Sequence, residues 1–133
     1  KLFGHGNPDA FGNKYFNTLL GNKGNNRLLG KNGNDILNGK SGDDFLSGGK
    51  GVDIITGGDG ADAFKSSKGL DYILDFEVGV DQIVVDNAEK VKLHQTTDGL
   101  MIIDGSKEML LEEINFLLFG DPQKTITEIS GGS

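Results

Sequence analysis

Large apolar residues recur every nine positions through the first half of the chain, at Leu19, Leu28, Leu37, Leu46, Ile55 and Phe64. Two glycine registers keep the same step: Gly12, Gly21, Gly30, Gly39, Gly48 and Gly57 form one, and Gly24, Gly33, Gly42, Gly51 and Gly60 the other. A fourth register runs Asn17, Asn26, Asp35, Asp44, Asp53, Asp62 and Asp71. Such agreement identifies an internal repeat, and its nine-residue length is too short for leucine-rich repeats, which need periods of about 20 or more. A flexible Gly/Asp-rich linker also fails as an explanation, because a linker has no reason to place Leu, Ile or Phe at every ninth residue.

The best copies read GNKGNNRLL (21–29), GKNGNDILN (30–38), GKSGDDFLS (39–47), GGKGVDIIT (48–56) and GGDGADAFK (57–65), with degenerate copies at 12–20 and 66–74. Six residues of the form G-x-x-G-x-D are too glycine-rich for helix or strand and supply the positive-φ conformations of a tight turn. The remaining three, such as Ile36-Leu37-Asn38, suit a very short strand whose middle side chain faces opposite to its neighbours. A three-residue strand is not stable alone, so the strands must stack and bury the Leu/Ile/Phe column between two sheets. If each copy is half a coil, repeat n lies on repeat n+2. Aspartates 18 residues apart then sit about 4.8 Å from each other, one strand spacing. Carboxylates that close repel, and a divalent cation between them reverses the sign. Oxygen-only ligation by Asp side chains and turn carbonyls suits Ca²⁺ better than Mg²⁺, which demands a tighter octahedron.

These residues resemble the RTX (repeats-in-toxin, hemolysin-type calcium-binding) nonapeptide, G-G-x-G-x-D-x-U-x with U a large apolar residue. The resemblance implies an all-β fold, a parallel β-roll, that is, a two-sheet β-solenoid, with several calcium ions, at least two, held between successive turns. Carried onto this sequence, the paired ligands are Asp35 with Asp53, Asp44 with Asp62, and Asp53 with Asp71. Carbonyls are expected from Gly30, Gly33, Gly39, Gly42, Gly48, Gly51, Gly57 and Gly60. Asn26 and Asn17 stand where the family has Asp, so sites made with them carry one fewer negative charge. Lys31 and Lys40 replace the second glycine of the motif, and a positive φ there costs about 1 kcal/mol or more. Tyr15, in place of the fourth residue's glycine, makes 12–20 the least regular copy.

Composition narrows the partners. Of 22 glycines, 15 fall at or before residue 60, and the net charge is -7. An acidic surface argues against duplex nucleic acid and anionic membranes. With no cysteine, thiolate zinc sites, redox pairs and disulfides are excluded, and a small secreted domain needs another source of stability. The sequence contains no 18-residue apolar run and no ordinary leader, so neither a membrane span nor a signal peptide is expected. A chain opening on Lys1 is expected to be part of a larger protein.

The expected organisation is one module, with calcium-binding repeats over 12–74 and an antiparallel β cap over 75–133. Segments 71–76 and 81–85 read as strands around Glu77-Val78-Gly79-Val80, and Gly79, Asp81 and Ile83 repeat the G-x-D-x-apolar signature. Val91–Gln95 and Leu100–Asp104 read as a hairpin around Thr96-Thr97-Asp98-Gly99. Met109–Ile114, the apolar run 114–119 and the polar end 125–133 complete the cap. His5 and His94 sit in no metal or triad pattern and read as surface or strand-face residues; HExxH, G-x-S-x-G and P-loop motifs are all absent. Glu112-Glu113 reads as solvated, and Asp121-Pro122 as a turn.

Catalysis is therefore not expected of this chain. The resemblance implies a calcium-binding module of a bacterial protein exported by type I secretion machinery, folding in extracellular calcium, with residues 115–133 able to hold the secretion signal. The alternative is a ligand-binding module, for polysaccharide or a cell surface, of an adhesin or an alginate-epimerase-like enzyme. Outward-pointing Phe45, Ile36 and Ile54 are the residues that would serve such a face.

Overall fold

A computed structural model describes residues 4, 6–86, 91–104 and 127–128. Its strands are β1 (Asp9–Phe11), β2 (Thr18–Leu20), β3 (Arg27–Leu29), β4 (Ile36–Asn38), β5 (Phe45–Ser47), β6 (Gly51–Thr56), β7 (Ala63–Lys65), β8 (Gly69–Ile73), β9 (Gln82–Val84), β10 (Val91–Gln95), β11 (Leu100–Asp104) and β12 (Thr127–Glu128). Helix is absent among the described residues.

Odd and even strands separate into two sheets. The first has the order β1-β3-β5-β7-β9 and the second β12-β10-β11-β8-β6-β4-β2. Pairing from β1 to β9 and from β2 to β8 is parallel, with Leu28 opposite Leu46, Leu46 opposite Phe64, and Leu37 opposite Ile55. Each 18-residue coil therefore contributes one strand to each sheet, and the neighbouring strand of the other sheet lies within the crossover that joins each parallel pair. The chain is a parallel β-roll of about four coils.

The apolar register forms the core. Leu28, Leu37, Leu46 and Ile73 are fully buried, and Ile55, Phe64 and Ile102 nearly so. Each such side chain contributes about 1.5–3 kcal/mol by leaving water, and the exposed-buried-intermediate pattern of β2, β3 and β4 shows why a three-residue strand suffices. Phe76 packs on Phe64 with ring centroids 6.0 Å apart.

After β8 the direction of pairing changes. β11 lies antiparallel to β8, with Met101 opposite Tyr72 and Asp104 opposite Gly69. The expected hairpin is present: β10 pairs antiparallel with β11 around a turn in which Thr96 Oγ1 accepts from the N–H of Gly99 at 2.9 Å. A smaller apolar cluster, Leu70, Tyr72, Met101 and Ile103, occupies the outer side of this part of the second sheet. His94, read from sequence as a surface or strand-face residue, is buried on β10 opposite Met101. His5, Met109–Ile114, Glu112-Glu113, the run 114–119, Asp121-Pro122, the segment 115–133 as a secretion signal and most of 125–133 lie outside the described residues.

Candidate metal centre

The roll has two turn edges. Turns at 12–17, 30–35, 48–53 and 66–68 lead from the first sheet to the second; those at 21–26, 39–44, 57–62 and 74–81 lead back. Stacking places Asp35, Asp53 and Asp71 in one column and Asp44 and Asp62 in the other, with Asp53 registered opposite Asp71. All five side chains are at most 3% exposed.

One oxygen of each carboxylate has a structural task. The N–H of Asn17 donates to Asp35 Oδ1 at 2.8 Å, that of Asn26 to Asp44 Oδ1 at 2.7 Å, that of Asp35 to Asp53 Oδ1 at 2.9 Å, and that of Asp44 to Asp62 Oδ1 at 2.9 Å. Each bond ties a turn to the next coil. The second oxygen has no partner: Oδ2 of Asp35, Asp44, Asp53 and Asp62 is buried and unbonded. A buried carboxylate oxygen left so is costly unless a proton or a cation meets it.

Backbone conformation separates these four turns from the others. In each, the second and fourth positions both have positive φ: Lys31 and Gly33, Lys40 and Gly42, Gly49 and Gly51, Gly58 and Gly60. The two lysines adopt φ 75° and 74°, as the strained-lysine reading expects. In the remaining turns the residue four before the column's Asn or Asp does not, and its N–H closes onto that side chain. Asn13 donates to Asn17 Oδ1 at 2.7 Å, Asn22 to Asn26 Oδ1 at 2.8 Å, Ser67 to Asp71 Oδ2 at 3.3 Å, and Glu77 to Asp81 Oδ2 at 2.9 Å. Four turns are thus open and four self-closed, and each edge of the roll has an adjacent open pair flanked by closed turns.

Carbonyl oxygens join the open carboxylates. A Cβ placed on Gly30 would lie 2.6 Å from both Asp35 Oδ2 and the Gly48 carbonyl; on Gly39 it would lie 2.4 Å from Asp44 Oδ2 and 2.7 Å from the Gly57 carbonyl. These glycines leave room for two oxygens from different coils to converge. At Gly48 and Gly57 the same construction meets Asp53 Oδ2 and Asp62 Oδ2. Of the other glycines expected to lend carbonyls, Gly33 and Gly42 face the next coil, their oxygens 2.3 Å from Cβ positions built on Gly51 and Gly60. Among the described residues no group of three acidic or histidine side chains forms a metal cluster; the oxygens that the open turns present are carboxylate Oδ2 atoms and backbone carbonyls. That set fits a hard cation of flexible geometry.

Electrostatics agrees. In the metal-free chain burial pushes the carboxyls of Asp44 up to about 6 and of Asp62 up to about 7, and raises Asp35 and Asp53 as well; hydrogen bonds from the backbone only partly oppose it. Asp71 is raised well above the ordinary carboxylate range, by burial first and by the charge of Asp53 second. Neighbouring charges add to burial at Asp62, where Asp44, Asp81 and Asp75 all push upward.

The sequence-derived site residues therefore fall into two groups. Asp35 with Asp53 and Asp44 with Asp62 are brought together as open pairs. Asp71 faces Asp53 but accepts from Ser67 through both N–H and Oγ. Asn26 is engaged on both atoms of its amide, accepting from Asn22 and donating through Nδ2 to the Pro8 carbonyl at 3.0 Å. Sequence reasoning missed Asp75, which accepts from the N–H groups of Gly57 and Gly58 at 2.8 Å each. Its signal was available, since Asp75 stands 18 residues after Gly57.

A two-sheet coil whose turns present paired buried carboxylates and converging carbonyls is a calcium-binding β-roll. The family comparison agrees: residues 11–46, 29–64 and 38–73 match the RTX calcium-binding nonapeptide repeat, in four copies. Residues 11–73 of this chain are RTX calcium-binding nonapeptide repeats. Among solved structures, the solution structure of a subunit of the Azotobacter vinelandii mannuronan C5-epimerase is similar, with 25% identity and a TM-score of 0.53 over 71% of this chain and 74% of that one. No curated protein matches the chain significantly.

Proposed function

We propose that this calcium-binding β-roll is a non-catalytic folding module, one that supports the secretion and stability of a larger exported protein. The observation that carries the reading is the row of unbonded, buried Oδ2 atoms on Asp35, Asp44, Asp53 and Asp62. In calcium-poor cytosol these carboxylates repel and resist burial, which favours an extended chain able to pass the channel of type I secretion machinery. In extracellular calcium the same oxygens become ligands, and calcium supplies the positive charge that meets them. With an affinity of about 10⁻⁴ M, typical of extracellular modules, millimolar calcium adds about 1.4 kcal/mol per site. Two such sites are a large part of the stability of a small domain.

The roles of the residues follow. Asp35, Asp44, Asp53 and Asp62 hold coil to coil through Oδ1 and keep the buried Oδ2 for the ion. Gly30, Gly39, Gly48 and Gly57 keep space for it. Far-ultraviolet circular dichroism of the chain in chelator, in millimolar Ca²⁺ and in millimolar Mg²⁺ tests the reading. A β signal that appears only with Ca²⁺ supports it; equal spectra in chelator and calcium sink it.

A further inference from the structure

Uncompensated charge of opposite sign surrounds the two calcium pairs. On the edge that leads from the first sheet to the second, the turns carry Lys14, Lys31, Lys50 and Lys68, all exposed, and no acid besides the buried column of Asp35, Asp53 and Asp71. Asp86 and Asp104 approach this edge only at its C-terminal end, beside Lys65 and Ser66. The opposite edge sets Lys23 and Lys40 against Asp43, Asp59, Asp75, Glu77 and Asp81. No lysine or acid of these turns is in an ion pair with a described residue. The pair Asp35/Asp53 is therefore flanked by ammonium groups, and the pair Asp44/Asp62 by carboxylates.

These charges are close enough to matter. Lys31 and Lys50 belong to the turns that hold Asp35 and Asp53, and Asp43 and Asp59 to those that hold Asp44 and Asp62. Adjacent coils are about 4.8 Å apart, so the same and neighbouring turns bring such groups to roughly 10 Å from the ion, about one Debye length at 0.1 M salt. The metal-free ligands already register the difference. Burial is the main cause of the raised carboxyls at Asp44 and Asp62, but the charge of Asp43 adds to it at Asp44, and those of Asp81 and Asp75 add to it at Asp62 beyond the partner Asp44. At Asp35 and Asp53 the only charge that adds to burial comes from within the pair. A field that penalises a bare carboxylate attracts a divalent cation, and an ammonium group does the reverse.

We propose that the two calcium sites are unequal: Asp44/Asp62, on the acidic edge, takes the first ion, and Asp35/Asp53, on the lysine edge, fills at a calcium concentration roughly tenfold higher. This rests on the calcium reading of the roll and adds an order of loading to it. The first ion staples the coils along the acidic edge, where self-repulsion is greatest, and the second responds only to a higher level of calcium. Because the difference comes from exposed charges and not from the ligands, salt erases it: at 1 M the Debye length is about 3 Å.

Nuclear magnetic resonance of the full chain tests the order, since the amides of Gly33 and Gly51 report one edge and those of Gly42 and Gly60 the other. In a calcium titration at about 0.1 M salt, Gly42 and Gly60 are expected to reach their loaded positions first, with midpoints about tenfold apart. The variant Lys50→Gln/Lys68→Gln narrows the gap to roughly threefold by moving Gly33 and Gly51 alone. Asp59→Asn/Glu77→Gln narrows it by moving Gly42 and Gly60 alone, and 1 M KCl closes it, with a Debye length of about 3 Å. None of the substituted side chains belongs to a ligand pair. Coincident midpoints at the lower salt, the reverse order, or variants that move both edges equally overturn the inference. Circular dichroism on the same samples keeps the two readings apart. No gain of β structure with calcium overturns the calcium reading itself, whereas a full gain with coincident edges overturns only the order of loading.

Discussion

The N–H of Asp35 donates to Oδ1 of Asp53, 18 residues further along the chain, at 2.9 Å, while Oδ2 of both residues stays buried and unbonded. One carboxylate therefore performs two separable tasks, stapling adjacent coils and presenting a ligand oxygen. The division explains why Asn serves in the outer turns. Asn17 and Asn26 can close a turn through Oδ1, but with an amide nitrogen in place of the second oxygen they carry no charge to attract a cation.

Substitution at Asp53 separates the two tasks. Asp53→Asn keeps an Oδ1 acceptor for Asp35, so the metal-free roll is as stable as the parent or more so, and calcium affinity falls by roughly tenfold or more as the charge count drops. Asp53→Ala also leaves the Asp35 N–H buried without an acceptor, at a cost of about 1–3 kcal/mol. Urea unfolding in chelator, with calorimetric calcium titration of each variant, checks both statements. Equal metal-free stability for the two variants would show that the staple contributes nothing.

Stoichiometry follows from the open turns. Each edge has one adjacent open pair, Asp35/Asp53 and Asp44/Asp62, so calorimetry is expected to count two strongly bound calcium ions. Asn26→Asp restores the repeat motif but not an open backbone in turn 21–26, because the N–H of Asn22 still closes that turn; it adds no third strong ion. A third ion of equal affinity in that variant would show that the side chain alone decides.

The period of nine was enough to read the stacked short strands and their inward column, which depend only on spacing; the two-sheet roll and the partnering of carboxylates 18 apart came with the RTX resemblance. Leu28, Leu37, Leu46, Ile55 and Phe64 point inward as the register requires. The sorting of turns into open and closed was not legible. It depends on φ at the second position, where Lys31 and Lys40 behave as Gly49 and Gly58 do and Asn22 does not. Asp81 was obscured differently: it meets Asp62 at a separation of 19, one more than the repeat, and accepts its N–H at 2.9 Å. Burial of His94 depends on packing around β10, which a local sequence pattern does not encode.

Glycine is needed at some second positions and dispensable at others. A Cβ on Gly49 would lie 1.7 Å from the Lys31 carbonyl oxygen, and one on Gly58 1.8 Å from that of Lys40. Lys31 and Lys40 stack instead on the closed turns of Asn13 and Asn22. Gly49→Ala is thus expected to cost about 3 kcal/mol, through strain and overpacking against backbone. Lys31→Gly should be neutral within about 0.5 kcal/mol, because relief of the left-handed strain offsets the added chain entropy. Chemical denaturation in calcium measures both, and a tolerated Gly49→Ala would contradict the close approach.

Calcium should compensate for a damaged core. Leu46 is fully buried in the middle of the column, and Leu46→Ala is expected to cost about 2–5 kcal/mol. Two ions at ten times their dissociation constant return about 2.8 kcal/mol by mass action. The variant should accordingly lack β structure in chelator and regain it at a calcium concentration higher than the parent requires. Identical calcium midpoints for parent and variant would mean that the column and the ions are not parts of one folding transition.

Dependence on pH should change sign with calcium. The carboxyls of Asp44 and Asp62 are raised to about 6 and about 7 in the metal-free roll, from ordinary values near 4, and Asp35, Asp53 and Asp71 are raised too. A carboxyl whose folded value exceeds its unfolded one favours folding while protonated. That contribution is complete below about pH 4 and is lost as pH rises through 6 to 7. The metal-free chain is therefore expected to be more structured at pH 4.5 than at pH 7.5. Ligation needs the deprotonated form, so calcium affinity should rise over the same interval, leaving the calcium-loaded roll more stable at pH 7.5 than at pH 5. Thermal melts across pH 4.5–8 in calcium-free buffer and in millimolar calcium check the crossing. Parallel pH profiles in the two buffers would show that the buried carboxylates are not what calcium meets.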